Sequence, residues 1–196
     1  MIPALFLVIC VVAFRAMTGL LIHSGAATWL SNFAPLAAIA LCCAAYLPSR
    51  YKFTLPLVTL FISDLILNAT YHAPLFDPQI LCRYLALAIV GLIGFALRRR
   101  ATWKTMLPAS LATSVIFYGI TNAFSWLTDP GYAKTSAGLI QALTVGLPAY
   151  GATPTWMFFR NSLFSDLFFT LLFVVCMSFR RGGNRARSAA TVPRAA

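Results

Sequence analysis

The feature that most constrains this chain is a series of apolar stretches, each close to the length needed to cross a lipid bilayer. About 20 apolar residues in a helix cross a hydrocarbon core of roughly 30 Å. Pro and Gly residues punctuate the chain between the stretches, as is typical of loops. The sequence therefore predicts an all-α, polytopic membrane protein with six transmembrane helices, which run over 2–22, 33–48, 55–71, 79–97, 106–127 and 156–179. The segment 135–147 is a candidate for an additional short interfacial helix.

Composition excludes several other classes of protein. Hydrophobic residues make up 60% of the chain and charged residues 10%, which leaves a soluble globule too little polar surface. The sequence has no Glu and only four Asp, so paired-carboxylate hydrolysis is not expected. It has no P-loop pattern and therefore no ATPase motif of its own. Its five cysteines are odd in number and lack C-x-x-C spacing, which argues against a disulfide framework and against a zinc site.

Basic residues predict the orientation in the membrane. Most of the 15 Lys and Arg lie in alternate loops and in the C-terminal tail, and this bias marks the cytoplasmic side. Both termini are therefore expected in the cytoplasm. Residues 1–179 form the transmembrane domain in this interpretation, and the basic segment 180–196 is expected to be a disordered tail that contacts anionic lipid. The net charge of +11 thus has an explanation other than nucleic-acid binding.

Charged side chains within the predicted helices cost roughly 2.5–3.5 kcal/mol each near the bilayer centre on insertion scales. The predicted topology places four of them in the outer half of the membrane: Arg15, Asp64, Arg160 and Asp166. Polar and aromatic residues of the outer loops and helix ends lie near them, including His23, Asn68, Tyr71, His72, Trp126 and Asn161. This convergence predicts a cavity that opens to the outside. The alternative is an internal ion-pair set of Arg15, Asp64 and Asp166 that holds helices together, with the aromatic residues as interface anchors.

Cys82 differs from the other four cysteines because it lies where a loop meets the start of the fourth predicted helix, next to Arg83. A helix N-terminus and a guanidinium group both favour a thiolate, which is a ligand for soft metals. A membrane cysteine is, however, more often a small packing residue. The residue alone leaves both interpretations open.

Five short motifs along the chain resemble one known family. They are N-F-A-P-L-A-A at 32–38, S-D-L-I-L-N at 63–68, L-C-R-Y-L at 81–85, I-T-N-A-F-S-W-L at 120–127 and R-N-S-L-F-S-D-L at 160–167. With six predicted helices and no ATPase motif, the chain resembles the BtuM family of small cobalamin transporters over about residues 30–175. That family is related to the S-components, the substrate-binding subunits of energy-coupling-factor (ECF) transporters. The position of Cys82 at the start of a helix is the most specific part of the resemblance.

The resemblance implies an S-component fold in the bacterial inner membrane, with cobalamin as substrate and no haem. Cys82 would be the axial sulfur ligand of the corrinoid cobalt, and its electrons would assist reductive decyanation of cyanocobalamin. Polar side chains would bind the corrin amides and the phosphate of the nucleotide tail, and aromatic rings would cover the macrocycle. The residues assigned to this site are Asp64, Asn68, Tyr71, His72, Cys82, Arg83, Tyr84, Trp126, Arg160 and Asn161.

The source of energy for import stays open in the sequence. Related S-components dock on a transmembrane coupling subunit with its ATPases, whereas members that resemble BtuM are often solitary. In a solitary protein, retention of reduced or cysteine-bound cobalamin would drive net uptake. Two other functions compete with cobalamin import. One is an S-component for a different vitamin, and the other is a membrane haem or redox protein that uses His23 and His72.

Overall fold

The computed structural model describes residues 2–23, 25, 31–71, 77–151 and 153–190. Within these ranges all regular structure is helical. Seven α-helices occur in the described chain, in the order α1 (Ile2–His23), α2 (Leu36–Tyr46), α3 (Thr54–Tyr71), α4 (Pro78–Leu97), α5 (Trp103–Thr128), α6 (Ser136–Thr144) and α7 (Thr155–Ala190). Six of them coincide with the predicted apolar stretches, and α6 coincides with the predicted short helix. The all-α prediction is therefore confirmed.

Four helical segments of the described chain are long and apolar enough to cross a membrane: Ser49–Ala69, Pro78–Arg100, Trp103–Thr128 and Thr155–Phe179. Large apolar side chains on their outer faces are more than half exposed, among them Phe61, Leu81, Leu92, Phe164 and Phe179. Such a surface suits contact with lipid and not with water. These features are typical of a multi-pass membrane protein.

Helix α2 corrects the predicted second span, 33–48. It has 11 residues, and at 1.5 Å per residue its length of about 16 Å is roughly half of a hydrocarbon core. Pro35 and Pro48 lie just outside its two ends, where proline limits extension of the helix. Residues 37–45 are all buried, and α2 contacts α3, α4, α5 and α7. A helix that is apolar on every face belongs in the interior, so α2 is a central packing helix and not a full-length span.

Glycines allow neighbouring helices to approach closely. A Cβ atom at Gly94 of α4 would overlap the backbone carbonyl oxygen of Leu41 on α2. A Cβ atom at Gly19 of α1 would overlap the side chain of Leu67 on α3. Small residues bring membrane helices into close contact, and van der Waals packing then holds them together. The Gly19 contact joins α1 and α3, and the Gly94 contact joins α4 to α2.

Helix α5 begins earlier than its apolar stretch predicts, at Trp103 and not at 106. Thr102 and Thr105 form a capping box, in which the Thr102 N–H donates to Thr105 Oγ1 at 3.1 Å. Pro108 lies inside the helix, one turn further from its start than the predicted span 106–127 places it. The cap stabilises the first turn and compensates in part for the backbone hydrogen bond that Pro108 cannot make.

Helix α7 is also longer than predicted. The sequence predicts a disordered tail from residue 180, but the helix continues to Ala190. Extending an existing helix requires no new nucleus, so the helix continues although Gly182, Gly183 and Asn184 have low helix propensity. Residues 191–196 lie outside the described chain.

The two ends of the bundle differ in charge. One end, which we call the basic end, carries Arg50, Lys52, Arg98, Arg99, Arg100 and Lys104. Arg98 and Lys52 both lie over the Phe95 ring, at 3.8 Å and 4.5 Å from its centroid, in cation–π contact. The opposite end, which we call the mouth end, contains α6, the N-terminus of α4 and the C-terminus of α5. Under the predicted orientation the basic end faces the cytoplasm.

Candidate functional site

A cavity of about 450 Å³ lies at the N-terminus of α2, surrounded by α1, α3, α4, α5 and α7. Small-molecule sites have volumes of about 300–1,000 Å³, so the cavity is of ligand size. Polar and charged side chains form much of its wall, which is costly within an apolar bundle. The polar lining residues are Arg15, Thr18, Asn32, Asp64, Asn68, Gln79, Arg83, Tyr118, Thr121, Asn122, Thr155, Ser162 and Asp166.

Asp64 is the centre of an ion-pair cluster in the wall of the cavity. Its Oδ1 lies 2.6 Å from Arg15 Nη2, and its Oδ2 lies 2.7 Å from Arg83 Nη2. The Tyr84 hydroxyl donates to Asp64 Oδ2 at 3.3 Å, and Arg15 Nη1 donates to the Ser63 hydroxyl. Asp64 and Arg15 are both buried. One carboxylate therefore connects α1, α3 and α4 through two charge-assisted hydrogen bonds.

This cluster has one positive charge in excess, because two guanidinium groups share one carboxylate. Arg83 Nε is buried and has no hydrogen-bond partner in the described part of the chain. A buried donor without a partner is costly, and a ligand oxygen would satisfy it. The wall near Arg83 therefore favours a ligand with an anionic or carbonyl group. The ion pair of Arg15 and Asp64 is the one that the alternative interpretation expects, but Asp166 is not part of it.

Asp166 lies in another part of the cavity wall, at the N-terminus of α2. Its Oδ1 accepts a hydrogen bond from the Ala38 N–H at 2.9 Å, and its Oδ2 lies 2.8 Å from the Ser114 hydroxyl oxygen. The N-cap residue of α2 is Pro35, which makes no side-chain hydrogen bond to the first N–H groups of the helix. Asp166 of α7 therefore caps α2 from a neighbouring helix.

Helix α5 supplies a polar face that the sequence-based assignment of the site omits. Tyr118 Oη donates to the Leu143 carbonyl at 2.8 Å and links α5 to α6. Gln79 of α4 donates to the Thr121 carbonyl at 3.2 Å. The signal for this face is present in the sequence, because polar residues recur every three or four positions in an otherwise apolar stretch. They are Ser110, Thr113, Ser114, Tyr118, Thr121, Asn122 and Ser125.

A second space, which we call the vestibule, adjoins the cavity at the mouth end and has a volume of about 660 Å³. The two spaces share four lining residues: Gln79, Asn122, Thr155 and Phe158. Asp77 and Asp129 also line the vestibule, and each side chain accepts a backbone N–H at 2.8 Å, from Gln79 and Gly131 respectively. Burial and the nearby Asp129 raise the pKa of Tyr132 in the same wall. The Tyr132 hydroxyl therefore stays protonated at neutral pH.

Cys82 lies beside the cavity and is not among its described lining residues. The side chain is buried between α4 and α5, and its thiol donates to the Ile120 carbonyl oxygen at 4.0 Å. Its neighbours on α4, Gln79 and Arg83, do line the cavity. The Arg83 guanidinium group pairs with Asp64. Its positive charge is therefore not directed at Cys82, where the sequence analysis expects it to favour a thiolate. In this conformation Cys82 packs between two helices and makes one weak hydrogen bond.

Three of the other assigned site residues form structural contacts at the mouth end. Trp126 Nε1 donates to the Ala133 carbonyl at 2.8 Å and holds the loop after α5. Asn161 Nδ2 donates to the Ser31 carbonyl at 2.9 Å, while Arg160 Nη2 donates to Asn161 Oδ1 at 3.2 Å. The described walls of the cavity and of the vestibule do not include these three residues. The structure thus separates them from the Asp64 cluster.

Of the remaining assigned residues, some line the cavity and the others have side chains that the structure does not describe. Asn68 lines the cavity. Tyr71 is the last residue of α3, but its side chain is outside the described part, as is that of His23, and His72 lies outside the described residues altogether. Among the residues that the structure describes, no group of three or more His, Cys or Asp is placed to hold a metal ion.

The described chain is an all-helical bundle with four helices that are long and apolar enough to span a membrane. It has a charged cavity of ligand size between its helices. These features define the class of multi-pass membrane proteins with an internal polar site. Residues 1–188 match the model of a family described as "Family of unknown function (DUF6580)". The chain belongs to this family. No curated protein and no solved structure matches it.

Proposed function

We propose that this protein binds a polar solute in the cavity and imports it across the bacterial inner membrane, and that the solute is cobalamin. The observation that carries the proposal is the Asp64 cluster, in which two arginines and a carboxylate line a ligand-sized space among apolar helices. Ionisable groups in such a position are costly, and they typically mark a substrate or ion pathway.

Import fits the cavity better than passive conduction because the bundle is closed toward the basic end. Past Asp166, along α5 and α7, the small polar side chains Ser110 and Thr170 are buried and hydrogen-bonded to each other at 3.0 Å. Beyond them the buried side chains are apolar ones such as Met106, Phe173 and Met177. Toward the mouth end, by contrast, the cavity adjoins the vestibule. A solute would enter from the mouth end, and its release at the basic end would require the helices to rearrange, as in transporters with alternating access.

Cobalamin as the solute rests on the resemblance to the BtuM family, and the chemistry of the wall is compatible with it. The amides and the phosphate of cobalamin need hydrogen-bond partners, which Asn68, Gln79 and Arg83 can provide. A corrin with its nucleotide loop is larger than a drug-sized ligand. It would therefore occupy the cavity and the vestibule together.

Cys82 has to change its rotamer to reach a corrinoid in this position. The rotation breaks only the weak hydrogen bond to the Ile120 carbonyl, at 4.0 Å. Arg83, the next residue of α4, already lines the cavity. We therefore keep Cys82 in the proposal as the axial cobalt ligand, with reductive decyanation of cyanocobalamin as an accessory activity.

The test is the visible absorption spectrum of the purified protein after incubation with cyanocobalamin and removal of free ligand. We expect the wild-type protein to retain a corrinoid with a shifted spectrum, because sulfur replaces another axial ligand. Cys82→Ser is expected to lose the shift. Cys176→Ser is the matched control, since this half-buried thiol lies on α7 outside both described spaces, and it should behave as the wild type does.

Two other spectroscopic outcomes each contradict a defined part of the proposal, and a separate uptake assay addresses the energy source. A shifted spectrum that persists in Cys82→Ser would exclude Cys82 as the cobalt ligand. If neither protein retains a corrinoid, cobalamin is the wrong solute, and binding should be measured for a panel of other vitamins. Uptake that disappears in cells without any energy-coupling module would show that the protein needs a transmembrane coupling subunit and its ATPases.

A further inference from the structure

The two aspartates within the predicted membrane spans have different partners. Asp64 is paired with two arginines, whereas Asp166 has no Lys or Arg partner in the described part of the chain. Asp166 is also the more deeply buried of the two, at 2% exposure against 5%. An ionised carboxylate without a cation is strongly disfavoured in a low-dielectric interior, and the usual response is to bind a proton.

The contacts of Ser114 favour such a proton. Ser114 Oγ lies 2.9 Å from the Ser110 carbonyl oxygen and 2.8 Å from Asp166 Oδ2. A serine hydroxyl has one hydrogen and a backbone carbonyl has none, so a second hydrogen is needed for both contacts to be hydrogen bonds. A protonated Asp166 supplies it. Asp166 Oδ2 then donates to Ser114, and Ser114 donates to Ser110.

We propose that Asp166 is a proton-binding site of the cavity and that its proton is carried together with the imported solute. The proton enters from the vestibule, resides on Oδ2, and leaves when the helices open toward the basic end. Oδ1 meanwhile continues to accept the Ala38 N–H at 2.9 Å, because the carbonyl oxygen of a carboxylic acid is still an acceptor.

The groups that face Asp166 from other helices do not replace the proton. Ser114 on α5 and the Cys42 thiol on α2 are neutral. The N-terminus of α2 faces Asp166 with the N–H groups of Ala37 and Ala38, which supply a partial and not a full positive charge. The two arginines of the cavity wall, on α1 and α4, direct Nη atoms to Asp64. Asp166 is therefore the carboxyl group whose charge the fold leaves to be neutralised by a proton.

The charge balance of the cavity links this proton to the solute. With Asp166 ionised, the two arginines and two aspartates of the wall sum to zero, and with Asp166 protonated one positive charge remains. An anionic group, such as the phosphate of cobalamin, is favoured in the protonated state. The proton and the solute then strengthen each other's binding by the same factor. This coupling rests on the proposed function, whereas the protonation of Asp166 does not.

Infrared spectroscopy tests the protonation directly, because a carboxylic acid has a C=O stretching band that a carboxylate lacks. The chain has no Glu and four Asp, so few groups contribute to this region. The full chain would be measured at neutral pH in a detergent without ester or carboxyl groups. We expect one carboxylic acid band in the wild-type protein and its loss in Asp166→Asn. Absence of the band from the wild type, or its persistence in Asp166→Asn, would overturn the proposal.

Two further variants control for loss of the carboxylic acid band through misfolding. Asp129→Asn removes a carboxyl group that accepts the Gly131 N–H in an exposed turn, and the band should remain. Ser114→Ala keeps the acid but removes its acceptor, so the band should move to higher wavenumber. A band that does not move in Ser114→Ala would contradict the hydrogen bond on which the proton count depends.

The coupling is tested by the Kd for cyanocobalamin as a function of pH. Between about pH 6 and about pH 9 the wild-type protein is expected to lose about fivefold or more in affinity, the lower end of typical coupling between sites. Asp166→Asn should show a Kd that does not change over this interval. A pH-independent Kd in the wild type would overturn the coupling. If the wild type binds no cyanocobalamin at any pH, the proposed solute fails, while the infrared result still decides the protonation.

Discussion

At the scale of the residue, Asp64 is the side chain on which three helices depend. Replacing Asp64 by Asn leaves Arg15 and Arg83 without their shared counter-charge. Removing one partner of a buried ion pair costs about 3–5 kcal/mol, because the remaining charge stays buried. We therefore expect Asp64→Asn to reduce the free energy of unfolding by an amount in that range. Equilibrium unfolding in mixed micelles, followed by circular dichroism, measures it.

The control for this prediction is Asp129→Asn. The Asp129 side chain accepts the Gly131 N–H in an exposed turn, where each hydrogen bond contributes about 1 kcal/mol or less. The two variants make the same chemical change in different surroundings. Equal stability of Asp64→Asn and the wild type would show that the cluster does not hold the helices together.

The partner of a residue could be predicted only where the cost of an unpaired charge in the membrane left few possible partners. Arg15 and Asp64 were predictable as a pair, because each is expensive alone in the membrane and both belong to the outer half of their helices. The rotation of each helix about its axis is not readable from an apolar stretch. Trp126 and Asn161 therefore appear in the sequence-based site, while in the structure they bind loop carbonyls. For the same reason, the orientation of the Cys82 side chain toward the Ile120 carbonyl could not be predicted.

At the scale of the element, the contact between α2 and α4 depends on one glycine. A Cβ atom at Gly94 would overlap the carbonyl oxygen of Leu41, which cannot move without moving α2. Overpacking of a core typically costs 1–3 kcal/mol, so Gly94→Ala should destabilise the protein by about that much. Thermal unfolding monitored by fluorescence of the tryptophans measures the shift in Tm.

Gly119 of α5 is the matched control for this substitution. A Cβ atom there meets nothing within 4 Å, and Ala is favoured over Gly within a helix by about 0.5–1 kcal/mol. Gly119→Ala is accordingly expected to leave Tm unchanged or to raise it. If both variants shift Tm in the same direction, helix propensity and not the approach of α2 and α4 determines the result.

The helices themselves were more predictable than the site because they depend on local composition. An apolar stretch of about 20 residues between basic or proline-containing segments has few alternatives in a membrane, and α3 and α4 follow their predicted limits closely. The shortness of α2 was not predictable from apolarity, since a buried packing helix and a spanning helix have the same composition. The extension of α7 to Ala190 continues a helix that already exists, which the prediction of a disordered tail from composition did not consider.

At the scale of the whole molecule, the cavity is accessible from one end. The vestibule and the cavity meet at the mouth end, while buried apolar side chains such as Met106 and Phe173 lie toward the basic end. The charge bias predicts that the basic end is cytoplasmic. Together these two features predict that the cavity is open to the outside of the cell in this conformation. The accessibility of positions along α5 distinguishes this arrangement from the reverse one.

We expect Asn122→Cys to react with a membrane-impermeant maleimide in intact cells, because Asn122 lines both the cavity and the vestibule. Thr113→Cys lies on the same helix but is fully buried, and it should not react. The wild-type protein, with its native cysteines, sets the background. Cyanocobalamin should slow the reaction of Asn122→Cys if it occupies the cavity. Reaction of Asn122→Cys only in inside-out vesicles would show that the mouth end faces the cytoplasm, and the direction of transport would then have to be reversed.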